Sequence, residues 1–453
     1  MSDQNGLMSS RADVVVCGAG IAGVAAAYHL KVVLGVERVV ICDPRPPLTL
    51  TSDRSTECYR NWWPNAPMVG LMNRSIDLLD AWAERSGNAF GMNRRGYLYA
   101  TADPRLAATW EQSARDVSAL GAGPLRIHRA GDTGYQPSGR SDGADLILDR
   151  SLVRSHFPYL TESTVAVLHA RRAGWLSAQQ LGRWMLESAV ECGLVLLPRR
   201  VTGATVRDRR LQSVTLDDGE TIRTGSLVNA AGPLVGQVAE LVAEEVPVTS
   251  ELHLKAIFKE HRRIFPAEAP LLIWSDRQTI EWSPEVREML GADPGTRYLL
   301  DELPAACHGR PEGGPDSPYV LGLWEYHRRV MEPAWPVPLD PMYPELVMRG
   351  MSTMIPGLDA YRDGLPRAAV DGGYYTKTVE NLPLIGPLTT AGVFVVGALS
   401  GFGIMAAAAA GELIALHATG QPLPAYAPAF LPSRYEDPAY LRSLPRMMGD
   451  GQL

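Results

Sequence analysis

Six residues near the start of the chain, Gly18-Ala19-Gly20-Ile21-Ala22-Gly23, carry the most specific chemistry in the sequence. A G-x-G-x-x-G run alone is a weak signal. Here it follows an apolar run, Val14-Val15-Val16-Cys17, and opens an alanine-rich stretch to about Leu34. A second apolar run, Val39 to Cys42, then ends at Asp43. That order predicts a βαβ unit holding the pyrophosphate of a dinucleotide. Gly18 permits the tight turn, Gly20 lets the backbone approach the phosphates, and Gly23 lets helix and strand pack closely. The helix N-terminus offers unpaired N–H groups and a positive dipole end to phosphate. Asp43 is placed to accept from an adenosine ribose, with Arg45 just beyond it.

The fingerprint does not separate FAD from NAD, but later segments do. Leu227-Val228-Asn229-Ala230-Ala231-Gly232 has small residues at a strand end, where a backbone passes close to a second part of the nucleotide. A late strand, the turn Gly401-Phe402-Gly403 and a helix through Ile404 return to the same place. That helix start can set N–H groups against a flavin's pyrimidine edge, where negative charge develops on reduction. A simple NAD dehydrogenase has no use for it.

The elements that must position these residues read as follows. Apolar positions Met68, Leu71, Met72, Ile76, Leu79 and Trp82 predict a helix over 67–86, and 179–192 a second. Residues 201–207, 211–216 and 220–223 read as a β-meander opening at Val201. Residues 121–150, rich in Gly, Pro, Asp and Ser, read as loop, and so does His308 to Pro318. The last helix stops at Gly420.

With 453 residues, the chain is long enough for two packed domains. A net charge of -7 gives no basic face for nucleic acid. Five scattered cysteines form no C-x-x-C pair, against a disulfide framework or a metal site. No charged start with an apolar h-region opens the chain, and Ile404 to Ala418 is short of the ~20 residues of a span. The expectation is a cytoplasmic protein with no membrane span. Only four lysines occur, Lys31, Lys255, Lys259 and Lys377, so any chemistry needing a lysine has few candidates.

The chain resembles the D-amino-acid oxidase family, closest to the monomeric sarcosine oxidase and glycine oxidase branch. The resemblance rests on Gly18–Asp43, Gly174-Trp175-Leu176, 227–233, and Tyr374-Tyr375-Thr376-Lys377 through Gly401-Phe402-Gly403. It implies an α/β fold: a Rossmann-like, glutathione-reductase-type FAD domain (1–85, 150–245 and 370–425) under a mixed β-sheet substrate domain (86–149 and 246–369), with 426–453 as a tail. It implies oxidation of a C–N bond in an amine or amino-acid derivative, hydride passing to flavin N5 and water hydrolysing the imine. Electrons pass to O2; another acceptor or electron-transfer partner, a natural-product tailoring role and a structural FAD stay open. Ser55 and Thr56 fall beside the flavin, Tyr375 and Trp324 near the substrate, and Arg60 on a substrate carboxylate.

Three positions depart from the branch. Gly373 replaces the cysteine that tethers FAD, which implies non-covalent FAD. Met405 replaces a lysine of the carboxylate clamp, so aromatic rings and Met405 would favour a larger or cationic amine. Leu323, in the run Gly322 to His327, replaces the lysine that promotes reaction with oxygen; Lys255 or Lys259 on the preceding strand could substitute.

Overall fold

The computed structural model describes residues 11–139, 142–326 and 329–447; His327 lies outside them. The apolar runs at the start form a six-stranded sheet ordered Leu384–Pro387, Val393–Gly397, Leu227–Asn229, Val14–Cys17, Val39–Cys42, Val195–Leu197. All neighbours are parallel except the first pair. Val14–Cys17 and Val39–Cys42 are buried throughout, which is why each reads as a continuous apolar run without alternation.

Two alanine-rich helices cover one face. Ile21–Tyr28, extended by a π-turn over His29–Val33, packs on Gly403–Thr419 so closely that a Cβ on Gly411 would lie 2.6 Å from the Ala25 carbonyl carbon. The run Ser400–Thr419 is long and apolar enough by composition to cross a membrane. It packs between the Ile21–Tyr28 and Ala66–Ser86 helices, with Ile404 to Gly411 buried. Gly420, at φ 67°, ends it.

The second layer is a nine-stranded mixed sheet. Its order is Ala368–Lys377, Thr249–Lys259, Tyr319–Leu323, Cys307–Glu312, Leu271–Trp274, Tyr97–Thr101, Ala166–Ala170, Ala144–Ile147, Leu125–His128. Alternation sorts its side chains. Tyr97, Tyr99, Leu271 and Ile273 pack toward the first layer, while Leu98, Ala100, Leu272, Trp274 and Cys307 pack on the Tyr343–Met354 helix side.

Three expectations change. The 121–150 stretch holds two strands of this sheet. Ala144–Ile147 carries Asp145, buried among Arg126, His128 and Arg171 at 2.8, 2.9 and 2.5 Å, so its polar residue hides a strand pattern. His308 to Glu312 is strand as well. Its Gly309 is forced by packing, because a Cβ there would sit 2.9 Å from both the Leu321 oxygen and Met351. Ala166–Ala170 and Ala368–Lys377, expected wholly or largely in the cofactor domain, pair within the large sheet. The 427–447 stretch is short helices pinned by Arg434, which donates to the buried Glu380 at 2.7 Å.

His29 joins the two alanine-rich helices by donating from Nε2 to the Ala408 oxygen at 3.0 Å. His169 accepts from Tyr135 at 2.9 Å and donates to the Arg95 oxygen. Burial holds both neutral, pushing His29 down to about 4 and His169 to about 3 from 6.5. Because both folded values are depressed, their contribution is fully present above about pH 6.5 and is lost as pH falls through 4 for His29 and through 3 for His169. Thermal unfolding at a series of pH values should show the midpoint beginning to fall below about pH 6.5, above the range where carboxylates titrate. His29→Gln should flatten part of the slope; an unchanged slope would remove His29 from this role.

Candidate functional site

Glycine makes the turn at the end of Val14–Cys17 possible. Gly18 has φ +109°, and a Cβ there would lie 2.5 Å from the Ala230 oxygen. A Cβ on Gly23 would lie 2.0 Å from the Gly18 oxygen. Neither position admits any other residue without moving backbone. Asp43 is gripped from two sides, accepting from the Ala19 and Arg45 amides at 2.9 Å each. Ile21 N–H, at the helix start, donates to the Ser52 hydroxyl at 3.0 Å.

These residues open onto a cavity of about 550 Å3. Gly18, Gly20, Ile21, Ala22, Asp43, Arg45, Val201, Ala230, Gly232 and Gly403 line it. Arg45 lies 5.3 Å over the Trp335 ring at its rim. Gly23 works from behind, through packing alone. An inner lobe of about 60 Å3 continues the cavity through the shared residues Ile21, Thr51, Ser52, Ser400 and Gly403. Ser55, Thr56, Gly401, Ile404 and Tyr375 line that lobe, with His253, Lys255, Leu323 and Gly373 of the large sheet. The long groove, its glycine cradle and the helix end at its inner lobe suit an extended FAD.

The sheet face above the inner lobe is charged but internally paired. His253 stacks on Tyr375 at 3.7 Å and 12°. Its ring sits between Glu325 at 2.8 Å and Glu251 at 3.4 Å. Burial disfavours the imidazolium, yet the two carboxylates prevail and raise His253 above its ordinary value. Lys377 reaches Glu251 at 2.7 Å; burial opposes the Glu251 charge, but His253 and Lys377 hold it down to about 2. Lys255 donates to the Ser55 oxygen at 2.9 Å, and burial lowers its ammonium despite Asp371 and Glu57. A readable signal was present: Glu251, His253 and Lys255 alternate along one strand, a charged stripe on an otherwise apolar element.

Besides Gly23, five sequence candidates lie elsewhere. Arg60, buried at the end of Cys58–Arg60, stacks 4.1 Å over Trp63 and donates to the Trp62 oxygen. Trp63 in turn packs edge-on against the buried Phe402, 5.4 Å away. Arg60 and Phe402 thus brace the lobe without lining it. Met405 is one residue past Ile404, and ~100° of helical rotation turns it into the core. Trp324 follows Leu323 and faces the opposite side of the sheet, where it donates to the Pro304 oxygen at 2.9 Å. It lines a second cavity of about 340 Å3 with Tyr298 and Tyr326, which shares His253 and Leu254 with the inner lobe. Lys259 is exposed at the strand end, ~13 Å beyond Lys255 at strand rise.

A family model described as DAO, FAD dependent oxidoreductase, matches residues 13–416. Human mitochondrial dimethylglycine dehydrogenase is 23% identical over 249 residues, 54% of this chain and 26% of that protein. The chain therefore spans about a quarter of that relative's length. L-proline dehydrogenase from P. horikoshii superposes with a TM-score of 0.73 at 20% identity, covering 94% of this chain and 98% of that one. Glycine oxidase from Geobacillus kaustophilus gives 0.69 at 14% identity, covering 91% and 96%.

Gly20 and Gly18 separate cofactor contact from folding. A Cβ on Gly20 meets only the Ser52 hydroxyl, at 3.5 Å, and its φ of -71° suits any residue. Gly20→Ala should leave apoprotein melting unchanged and weaken FAD binding by about tenfold or more, about 1.4 kcal/mol. Gly18→Ala should lower both. Flavin absorbance per chain and differential scanning fluorimetry read the two effects; equal loss of stability in both variants would refute the assignment.

Proposed function

The chain belongs to the DAO family of FAD-dependent oxidoreductases, and from that premise we propose that it oxidises a carbon–nitrogen bond of an amine or amino-acid derivative, with dioxygen as the electron acceptor. The observation that carries the reading is the inner lobe. There the N-terminal end of the Gly403–Thr419 helix, the Tyr375–His253 stack and Lys255 converge on one space. Bound FAD supplies the two-electron acceptor, and the product imine is hydrolysed by water.

The protein's share of the work is positioning and exclusion of water. Tyr375 and Leu323 roof the lobe, and Ser55 and Thr56 border it. The helix N-terminus sets its positive dipole end at the same lobe. The expected carboxylate clamp is missing from the groove, since Arg60 and Met405 both lie behind its wall. That favours an amine, or a secondary or larger amino-acid derivative, over a small zwitterion gripped at two points. The names dimethylglycine dehydrogenase, L-proline dehydrogenase and glycine oxidase support an amine-bearing substrate. Gly373 offers no side chain for a covalent tether, which supports non-covalent FAD: denaturation should release all flavin into the supernatant.

Dioxygen as acceptor rests on Lys255, which extends the ladder register to lie across from Leu323, in the position-pair where the family resemblance expects a lysine. A buried cation there stabilises negative charge developing on oxygen. A dehydrogenase using another acceptor is the second reading, favoured by Leu323 itself.

Anaerobic mixing of the yellow protein with amines and amino acids should bleach the flavin with secondary or bulky amines. Bleaching by NAD(P)H alone would replace the proposal with a reductase or monooxygenase. On admitting air, colour should return quickly in the wild type. In Lys255→Met that return should slow by about tenfold or more, and by more than the bleaching step, with partial recovery in Lys255→Arg. A slow return in wild type would identify a dehydrogenase.

A further inference from the structure

We propose that His308 is the base that takes the ammonium proton from the amine before its oxidation. The inference rests on the amine-oxidation reading and deepens it. His308 lies on the Cys307–Glu312 strand, on the side that faces the first layer. Its neighbour Cys307 packs into the opposite core, and Arg310, two residues on, reaches the Thr56 oxygen at 2.8 Å. In the ladder His308 stands opposite Leu323, which lines the inner lobe, and opposite Ile273 on the other side. Adjacent strands are ~4.8 Å apart, so the imidazole belongs to the same row of side chains as Leu323 and Lys255.

The tautomer is set by the backbone. Nδ1 lies 2.8 Å from the Ala306 oxygen, so Nδ1 carries the proton and the neutral ring keeps its lone pair on Nε2. Among the described residues, Nε2 has no hydrogen-bond partner, and the ring is half-buried. The other titratable groups around it are committed. Glu325, beyond the end of the next strand, and Glu251 are paired with His253, one on each ring nitrogen, and together they favour its protonated form. Lys255 donates to the Ser55 oxygen, Arg310 is held by Thr56, Glu312 and Pro311, and Tyr99 on the far side of Ile273 is pushed up by burial. Burial lowers His308, with Glu325 opposing and His253 adding to the shift. The two histidines are thus shifted in opposite directions, His253 toward the imidazolium and His308 toward the neutral ring.

An amine arrives largely protonated near neutral pH, and its lone pair must be free before electrons can leave the adjacent carbon. In the proposed step the N–H bond of the ammonium breaks, its electron pair stays on the amine nitrogen, and the proton moves to His308 Nε2. No carbon bond changes, and no further reactant is needed.

His308→Asn keeps an N–H that can donate to the Ala306 oxygen and removes the base. Flavin content and melting temperature show whether it is folded. Anaerobic bleaching should be about tenfold or more slower than wild type at pH 7. It should then rise with pH toward the substrate's own amine pKa, and added imidazole should restore part of the rate. A wild-type pH profile in His308→Asn would overturn the inference. A second readout needs no turnover: 15N-histidine NMR of the wild type at pH 7, assigned by the signal lost in His308→Asn, should show an unprotonated Nε2. A protonated Nε2 would overturn the inference whatever the substrate. If no amine bleaches the wild-type flavin, the proposed function fails instead, and the NMR result still judges the state of His308.

Discussion

Two close backbone approaches at the end of the first strand set the position of everything else in the groove. Gly18 passes within one missing methyl of the Ala230 oxygen, and Gly23 within one missing methyl of Gly18. The first contact ties the fingerprint turn to a strand more than two hundred residues later, since the two strands pair in register, Val16 with Val228. The second fixes the angle at which the Ile21–Tyr28 helix leaves the sheet. That helix is the platform for Gly403–Thr419, through Ala25 against Gly411 and His29 on Ala408. The helix end at the inner lobe is thus placed by a chain of small-residue contacts beginning at Gly18. Small residues give such a chain its stiffness, because dense packing leaves no slack to absorb a shift.

The groove was the more legible half of this protein. Its glycines, its acidic residue and the late glycine turn owe their identity to backbone geometry, and geometry of that kind leaves a fixed spacing in the sequence. The helices over Ala66–Ser86 and Ala178–Glu191 were equally open to reading, because each buries a single apolar face. The large sheet was harder. Asp145 and Arg310 sit at core positions because ion pairs and carbonyls satisfy them in three dimensions, and a pattern of apolar alternation does not register such residues. Some candidate site residues lie off the lobe for a related reason. Arg60 is the residue type expected at its position and Met405 stands where a lysine was expected, but the direction of either side chain follows from a nearby aromatic ring or from rotation about the helix, not from its place in a motif. Lys255 and Lys259 looked equivalent by alternation and are separated only by where the strand ends.

The inner lobe also shows how charged side chains can be held on a buried face of a sheet. The charges on the face offset one another: the Glu251 and Glu325 carboxylates sit against the Lys377 ammonium and the His253 ring, whose protonated form they favour. Desolvating any one of these alone would cost several kcal/mol, and pairing them offsets most of that cost. The arrangement leaves the lobe's proton chemistry to groups outside the cluster, since both ring nitrogens of His253 already face carboxylates.

Residues 50–57 form the last link, and they have little regular structure. Their position is nevertheless overdetermined, because two cations of the large sheet grip them and one of their own reaches the sheet. Lys255 holds the Ser55 oxygen, Arg310 holds the Thr56 oxygen by two N–H groups at 2.8 and 3.2 Å, and Arg54 reaches back to Asp371 at 2.6 Å. Two of the three act on main-chain carbonyls, so the local sequence is free to vary while the path is held. The forked guanidinium at Arg310 suits this better than an ammonium would, since both its contacts to one carbonyl come from a rigid plane. The wall of the groove and the sheet above it are therefore one mechanical unit. A change to the sheet that moves Arg310 or Lys255 would move the Ser55–Thr56 wall with it, which is how residues far along the chain come to shape a site whose signature lies in its first fifty positions.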